Sequence, residues 1–379
     1  MLKIGLCGAG FGHEFGVLLQ AHPLVESVSI AELDSGKREL LANRLGIKGG
    51  HTTLADLCAS DVDAICVFTP PWLHAQHTLE ILRAGKHVCC AVPAALTIEE
   101  LKQVVDAVTQ TGLTYMTAET SYYYPSCVYC RDRFRRGDFG RFVYGQAEYY
   151  HHPSHYGFWS RDNYSTFPPM LYATHSIAMI VGVTGSRLTS VSALGIAGFS
   201  PEAAACKRLP QFRQNPFGNE SAIFRMANGG ACRINEFRHV GFHGPPTVRC
   251  SVYGSDASYE EVAGAQVWST NKQEHVNLTD YLGMSSEDFS GRLSPAHPQG
   301  RLPKEFAGLP NYHFGSHQFL VDDFVNTCVK RKLPPNHVWQ AAKYCAPGIV
   351  AHASALEEGR LMAVPDFGEP HVGMATLYA

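Results

Sequence analysis

The sequence predicts an α/β protein in two parts: an N-terminal parallel sheet covered by helices over residues 1–122, and a C-terminal α+β domain with an open-faced, mostly antiparallel sheet over residues 123–379. Three observations predict it. A glycine turn joins an apolar strand to a helix at the start of the chain. Strand-like and helix-like segments then alternate through the first 120 residues, and after Glu119 the segments lengthen, alternate in polarity and are separated by turns. A chain of 379 residues also exceeds what one hydrophobic core usually serves, so two domains are expected.

The opening run Lys3-Ile4-Gly5-Leu6-Cys7 reads as a strand, and Gly8-Ala9-Gly10-Phe11-Gly12-His13 as its turn into a helix. Gly8 suits the tight turn and Gly10 lets backbone approach a phosphate, while the helix start offers free N–H groups and a positive dipole end. The strict dinucleotide fingerprint has its third glycine where this chain has His13, so helix-to-strand packing is expected either to be looser or to fall to Gly12, one place early. Ser27–Ala31 is the second strand, and Glu32 follows it, 24 positions after Gly8. A carboxylate there accepts from the adenosine ribose hydroxyls and repels a 2′-phosphate. Lys37 and Arg38 lie further on, in the next helix, so the expected cofactor is NAD rather than NADP. The first part is thereby a Rossmann dinucleotide-binding domain, with Gly8, Gly10, Phe11, Gly12 and Glu32 on the cofactor.

Ala64–Phe68, His87–Cys90 and Leu113–Ala118 complete its strands. Helices fit Gly36–Leu45, Pro71–Ala84 and Ile98–Thr111, the last opened by a Thr97/Glu100 capping box. In the second part a helix runs from Pro125 to Arg136 and stops at Gly137-Asp138-Phe139-Gly140. Strands are expected at Phe142–Tyr150, Leu188–Leu194, Ser221–Met226, Ala231–Phe237, Val248–Tyr253 and Tyr259–Val262, with Ala227-Asn228-Gly229-Gly230 a hairpin turn. Residues 270–312 are polar and rich in Pro, Gly, Ser and His, and are expected as an ordered excursion near the domain junction. Helices Ser316–Arg331 and His337–Glu358 close the chain.

Composition narrows the function classes. With 31 basic against 34 acidic residues there is no electrostatic footprint for nucleic acid or an anionic membrane. No apolar run has the length of a membrane span, and Met1 leads straight into a strand without a secretory leader pattern, so a cytoplasmic location is expected. Twelve cysteines suit that compartment, several of them (Cys7, Cys66, Cys89) lying in apolar strand-like runs as small buried hydrophobes. Cys127-Val128-Tyr129-Cys130 has CxxC spacing but no second pair at zinc-finger distance, and reads as a helix face rather than a metal or redox site. The expected partner is a small molecule in a pocket, with no metal. An open-faced sheet normally covers its outer side with another subunit, so a homodimer or homotetramer is expected.

Taken with the glycine turn, Phe68-Thr69-Pro70-Pro71-Trp72-Leu73-His74, Ala84-Gly85-Lys86-His87-Val88 and Pro93-Ala94-Ala95-Leu96-Thr97 resemble the Gfo/Idh/MocA superfamily of NAD(P)-dependent sugar-converting oxidoreductases, over nearly the whole chain. The resemblance implies that nicotinamide and a pyranose meet in the cleft between the two domains, with Thr69, Pro70, Trp72, His74 and Pro93 framing the cofactor. Where ordinary dehydrogenases of the family carry Glu-Lys-Pro, this chain has Ala91-Val92-Pro93, without the lysine that polarises the reacting oxygen. Where they carry an aspartate four places before a histidine, Leu171 precedes His175. Tyr172-Ala173-Thr174-His175, together with Val92-Pro93-Ala94-Ala95, instead resembles the branch containing NAD-dependent glycosidases of the α-N-acetylgalactosaminidase type.

That resemblance implies a cycle on tightly held NAD. A ring hydroxyl, usually at C3, is oxidised to a ketone, the neighbouring C–H becomes acidic, the anomeric substituent leaves, water adds and the hydride returns. Tyr172 and His175 are three apart on an apparent helix and share a face, so His175 is the expected base and Tyr172 its assistant. Glu119 and Tyr122 follow the last Rossmann strand at the carboxyl edge, where α/β sheets bind ligands. Glu119 reads either as a contact to sugar hydroxyls or nicotinamide ribose, or as a carboxylate capping the next helix. His151-His152-Pro153-Ser154-His155-Tyr156, with Trp159 and Arg161, reads as a sugar-lining loop, since its histidine spacing matches no helical or finger metal site. His313 and His317 are expected to project into the cleft from a helix start. Arg213 and Arg238 are candidate anchors for an anionic substituent, or else ordinary ion-pair arginines. Three activities compete: a glycosidase or lyase recycling NAD, a simple NAD-dependent sugar dehydrogenase releasing NADH, and a catalytically silent NAD-binding regulator.

Overall fold

The computed structural model describes all residues except 153–165, 200–211, 213, 242–246, 284–292, 372 and 379. Short apolar runs build the first sheet: β1 (Leu2–Cys7), β2 (Val25–Ala31), β3 (Ala64–Val67), β4 (His87–Cys90) and β5 (Tyr115–Thr117) pair in parallel in the order β2-β1-β3-β4-β5. Strands of a parallel sheet are buried on both sides, which is why they read as unbroken apolar runs. Alternation sorts their side chains. Ile4, Leu6, Cys66, Cys89 and Met116 meet α1 (Ala9–Ala21) and α2 (Ser35–Leu45), whereas Ile65, Val67, Val88, Cys90 and Tyr115 meet α3 (Leu54–Ala59), α4 (His74–Arg83) and α5 (Ile98–Thr111).

The helix boundaries follow local chemistry. The capping box of α5 forms as expected, with Glu100 N donating to Thr97 Oγ1 at 3.1 Å and Thr97 N to Glu100 Oε2 at 3.2 Å. The helix predicted over Pro71–Ala84 divides into a 3-10 turn, Pro71–Leu73, and α4. Two adjacent prolines lack the N–H groups a regular first turn would use. α3, six residues long, escapes prediction because it is too short to show a period, although Thr53 and Asp56 cap it reciprocally.

The second sheet holds β6 (Phe142–Tyr150), β7 (Leu188–Ala197), β8 (Phe217–Met226), β9 (Ala231–Phe237), β10 (Val248–Gly254), β11 (Ala257–Val262), β12 (Ala265–Thr270), β13 (His275–Asn277) and β14 (Met362–Ala363). Their order is β13-β12-β11-β10-β6-β9-β8-β7-β14, and every pair is antiparallel except β6 with β9. The excursion predicted at 270–312 thus begins as the β12–β13 hairpin. α6 (Pro125–Arg135), α7 (Thr174–Thr184) and the last long helix cover the inner face, where Ala147, Val191, Phe224, Ile234 and Val252 are buried. Cys127 and Cys130 are buried on α6 in this core, as a helix face. The outer face leaves Leu194 and Ile223 each 61% exposed.

The two closing helices, α8 (His317–Lys330) and α9 (Val338–Leu356), return to the first sheet. α8 packs Phe319, Leu320 and Phe324 against Phe15, Cys66 and Cys89, so it shares α1's side of that sheet. α9 packs against α5 and β5 as well as α7 and β7, bridging both sheets. No helix among the described residues is long and apolar enough to cross a membrane.

Candidate active site

The strand β1 ends in Gly8, whose φ of 98° suits glycine alone, and a Cβ there would sit 2.6 Å from the Phe68 carbonyl oxygen. Gly10 is the opposite case: a Cβ would meet nothing within 4 Å, so open space faces the first turn of α1. That turn has no acidic residue of its own and no cap from Gly8, which leaves its N–H groups beyond that of Ala9 for an anion. Glu32, at the end of β2, accepts from Ala9 N at 2.8 Å and from Asp34 N at 3.0 Å, which fixes its carboxylate beside the turn. Gly12 approaches Phe68, whose ring lies 3.0 Å from where its Cβ would stand, and so takes over the packing duty of the missing third glycine. Phe11 meets Phe68 edge to face at 5.7 Å. These residues fit a dinucleotide. Gly10→Ala is expected to leave the thermal midpoint unchanged or slightly raised while weakening NAD binding about tenfold to a hundredfold, read by calorimetric titration. Glu32→Ala is expected to raise the NAD Kd about tenfold or more with kcat at saturating NAD preserved.

His74 departs from expectation. It is buried, and its Nδ1 lies 2.8 Å from Pro93 O and its Nε2 2.7 Å from Thr69 O. Both ring nitrogens are spent on backbone, so His74 clamps together the two loops that carry Thr69, Pro70 and Pro93 rather than touching a ligand. Thr69 Oγ1 in turn meets His77 Nδ1 at 3.0 Å. Trp72 is half-buried against the larger core. Val92, at the position of the family dehydrogenases' lysine, is buried and carries no charge.

At the head of β5 the chain places a carboxylate under an imidazole. Glu119 is fully buried; its Oε1 accepts from Ser121 N at 3.0 Å and Ser121 Oγ at 2.8 Å, and lies 2.6 Å from His175 Nδ1. Burial pushes the Glu119 carboxyl up, but His175 and the two Ser121 donors outweigh it and hold it below the usual carboxylate range. With Nδ1 turned to the carboxylate, Nε2 is the nitrogen left for chemistry. The expected single helix carrying Tyr172 and His175 is instead a 3-10 turn, Pro169–Tyr172, running into α7. The two rings still meet, 5.4 Å apart at 68°. Glu220 pins this turn from below, accepting from Met170 N at 2.7 Å and meeting His352 of α9 at 2.8 Å.

Aromatic rings and a guanidinium surround the pair. Tyr149 of β6 stacks on His175 at 5.5 Å and on His151 at 3.7 Å. Arg238 lies 4.5 Å over the Tyr149 ring and 5.7 Å from that of Tyr172, and donates to Glu236 Oε2 at 3.2 Å. Glu236 also accepts from Ser176 Oγ at 2.6 Å, and burial raises its carboxyl to about 8 despite the arginine. Arg238 is thus hydrogen-bonded to Glu236 and also borders the site.

Of the two readings of Glu119 the structure has the capping one: it stands behind His175, as the cap of the turn Thr120–Tyr123 and as the imidazole's partner. Two further expectations change. The Tyr122 ring is taken up by Arg131, 3.8 Å above it, and by close approach of Gly182 on α7. His317 is buried and stacked on Phe15 at 4.3 Å, against α1 rather than facing the cleft. His152 is half-buried, 6.1 Å from the His239 ring. His155, Trp159, Arg161 and Arg213 lie outside the described residues. Spacing alone did not point to Tyr149, Glu236 or Ser121. A signal for Glu236 was present: on β9 it occupies the inward register with Cys232 and Ile234, where an acid needs a partner.

Residues 2–119 match the model described as "Oxidoreductase family, NAD-binding Rossmann fold". Along nearly its whole length the chain is similar to a glycosyl hydrolase family 109 protein of Solibacter usitatus, at 24% identity over 97% of this chain and 88% of that one. Among solved structures, a levoglucosan dehydrogenase in complex with NADH and levoglucosan superposes with a TM-score of 0.73 at 19% identity, covering 96% of this chain and 100% of that one. The myo-inositol 2-dehydrogenase of Lactobacillus plantarum does so with a TM-score of 0.71 at 20% identity, covering 96% of this chain and 99% of that one. Over residues 2–119 the chain is thus similar to the NAD-binding Rossmann domain of the Gfo/Idh/MocA oxidoreductases.

Proposed function

We propose that this protein is an NAD-dependent carbohydrate-active enzyme that transfers hydride at a ring hydroxyl carbon of a pyranose, within a glycosidase or lyase cycle that recycles its NAD. The observation that carries the reading is the buried Glu119–His175 pair, present at 2.6 Å where the family dehydrogenases' lysine is replaced by Val92. Similarity to a family 109 glycosyl hydrolase over almost the full chain supports it. Bound NAD supplies a hydride acceptor and afterwards the donor of the same hydride. Gly8, Gly10, Phe11, Gly12 and Glu32 would hold it, and Thr69, Pro70, Trp72 and Pro93 would frame it.

His175 takes the hydroxyl proton through Nε2 as the hydride leaves that carbon, and Glu119 stabilises the imidazolium in a setting where water does not screen the charge. The resulting ketone acidifies the neighbouring C–H, whose proton passes to a base as the anomeric substituent departs with a proton. Tyr172, in ring contact with His175, assists as proton or hydrogen-bond donor. Water adds at the anomeric carbon, the hydride returns and His175 gives its proton back, so the cycle consumes only glycoside and water. Arg238 and His152 border the substrate side, and the outer sheet face with Leu194 and Ile223 is the surface for a second subunit. The second reading, a sugar dehydrogenase that releases NADH, is favoured by the names of the two similar solved structures. Incubation with nitrophenyl glycosides, with and without added NAD, separates the two. Nitrophenol release without NADH accumulation is expected; stoichiometric NADH from free sugars, with no aglycone released from any glycoside, would establish the dehydrogenase instead.

A further inference from the structure

Between α1 and α8, two buried polar atoms face the same space without a hydrogen-bond partner: Glu14 Oε2 and His317 Nδ1, 3.5 Å apart. His313, on the turn leading into α8, brings Nδ1 to 2.9 Å from His317 Nε2, and the two rings lie 4.9 Å apart at 23°. One donor atom from each of Glu14, His313 and His317 lies within 4.8 Å of the other two. Buried polar atoms without a hydrogen-bond partner, as Glu14 Oε2 and His317 Nδ1 are, are costly. The backbone adds to the cost, since His313 and Phe314 hold φ of 50° and 54°. Non-glycine residues in that region cost on the order of 1 kcal/mol or more each, and persist where the surroundings over-determine them. Here that turn carries His313 to His317.

We propose that Glu14, His313 and His317 form a binding site for one divalent transition-metal ion, with a coordination position left for water. The donor set decides the class. Two imidazoles and a carboxylate suit zinc and its first-row neighbours, whereas calcium and magnesium take oxygen ligands. Ligand atoms about 2.0–2.1 Å from a tetrahedral ion lie roughly 3.3 Å from one another. The Glu14–His317 gap already has that scale, and His313 offers a third donor atom within 4.8 Å of both. The Glu14 side chain is 20% exposed, which provides an entrance. An ion here ties the first turns of α1 to α8 next to the cofactor loop, because Phe11 meets the His313 and His317 rings at 5.6 Å each. The site neighbours the Glu119–His175 pair, whose charges reach His313, but uses other donor atoms and stands whichever reaction the protein performs.

The test uses chelator-stripped, NAD-saturated protein titrated with Co(II) and Zn(II), following the visible absorption of bound cobalt, metal content after gel filtration and the thermal midpoint. One equivalent is expected to bind and to raise the midpoint. Glu14→Gln and His317→Gln are expected to weaken Co(II) binding about tenfold or more, with circular dichroism unchanged. Should His317→Gln fail to fold, Glu14→Gln decides alone, since that side chain reaches solvent. Absence of stoichiometric binding, undiminished binding in Glu14→Gln, or loss of binding only in His175→Ala would overturn the proposal.

Discussion

Replacing His175 by alanine is expected to lower kcat by about two to four orders of magnitude, the usual worth of a positioned acid or base, while NAD affinity stays within about twofold. The separation follows from geometry. His175 sits on the first turn of α7, held by Glu119 from the head of β5, whereas the cofactor-binding residues cluster at the turn from β1 to α1 and beside Glu32. Steady-state turnover of the best glycoside and calorimetric NAD titration give the two numbers. Full activity in the variant would remove His175 from the mechanism, and loss of NAD binding would make its role structural.

Glu119→Gln is expected to cost nearly as much, about two to four orders of magnitude in kcat with KM little changed. A neutral amide cannot stabilise the imidazolium, and it places an N–H₂ group in a buried setting where Glu119 Oε2 has no hydrogen-bond partner. A purely structural role would instead lower the thermal midpoint and leave kcat of the folded fraction intact. Stability carries a second signature. The Glu119 carboxyl is held below its ordinary range, so its contribution to folding is complete above the ordinary carboxylate pKa of roughly 4.3 and is lost as pH falls through the depressed folded value. Thermal midpoints measured between neutral pH and pH 3 are therefore expected to fall less steeply in Glu119→Gln than in the parent protein.

What could be read from sequence was local. The β1 turn, Glu32 after β2 and the Thr97/Glu100 box each declare themselves within a few residues; the turn and the box form as expected, and Glu32 stands beside the turn. Tyr172 and His175 were legible as a pair because only two residues separate them, even though the backbone between them changes from 3-10 to α. The Glu119–His175 contact spans 56 positions, from the end of β5 to α7, and Arg238 reaches Tyr149 through the register of β9 beside β6, so neither is legible within a local stretch. His74 illustrates the converse. Its place in a cofactor-like motif suggested ligand contact, but its two backbone partners, five and 19 positions away, show a clamp. The return of α8 to α1 was likewise hidden, because an amphipathic helix shows which face is apolar but not which sheet that face will cover.

The central claim, oxidation of the sugar within a cycle that ends in hydrolysis, is tested most directly by running the glycosidase reaction to completion in D₂O and examining the released sugar by mass spectrometry and NMR. Transient oxidation makes a ring C–H acidic enough to exchange, so the account predicts one carbon-bound deuterium beside the oxidised position. Released sugar with only oxygen-bound deuterium would contradict it.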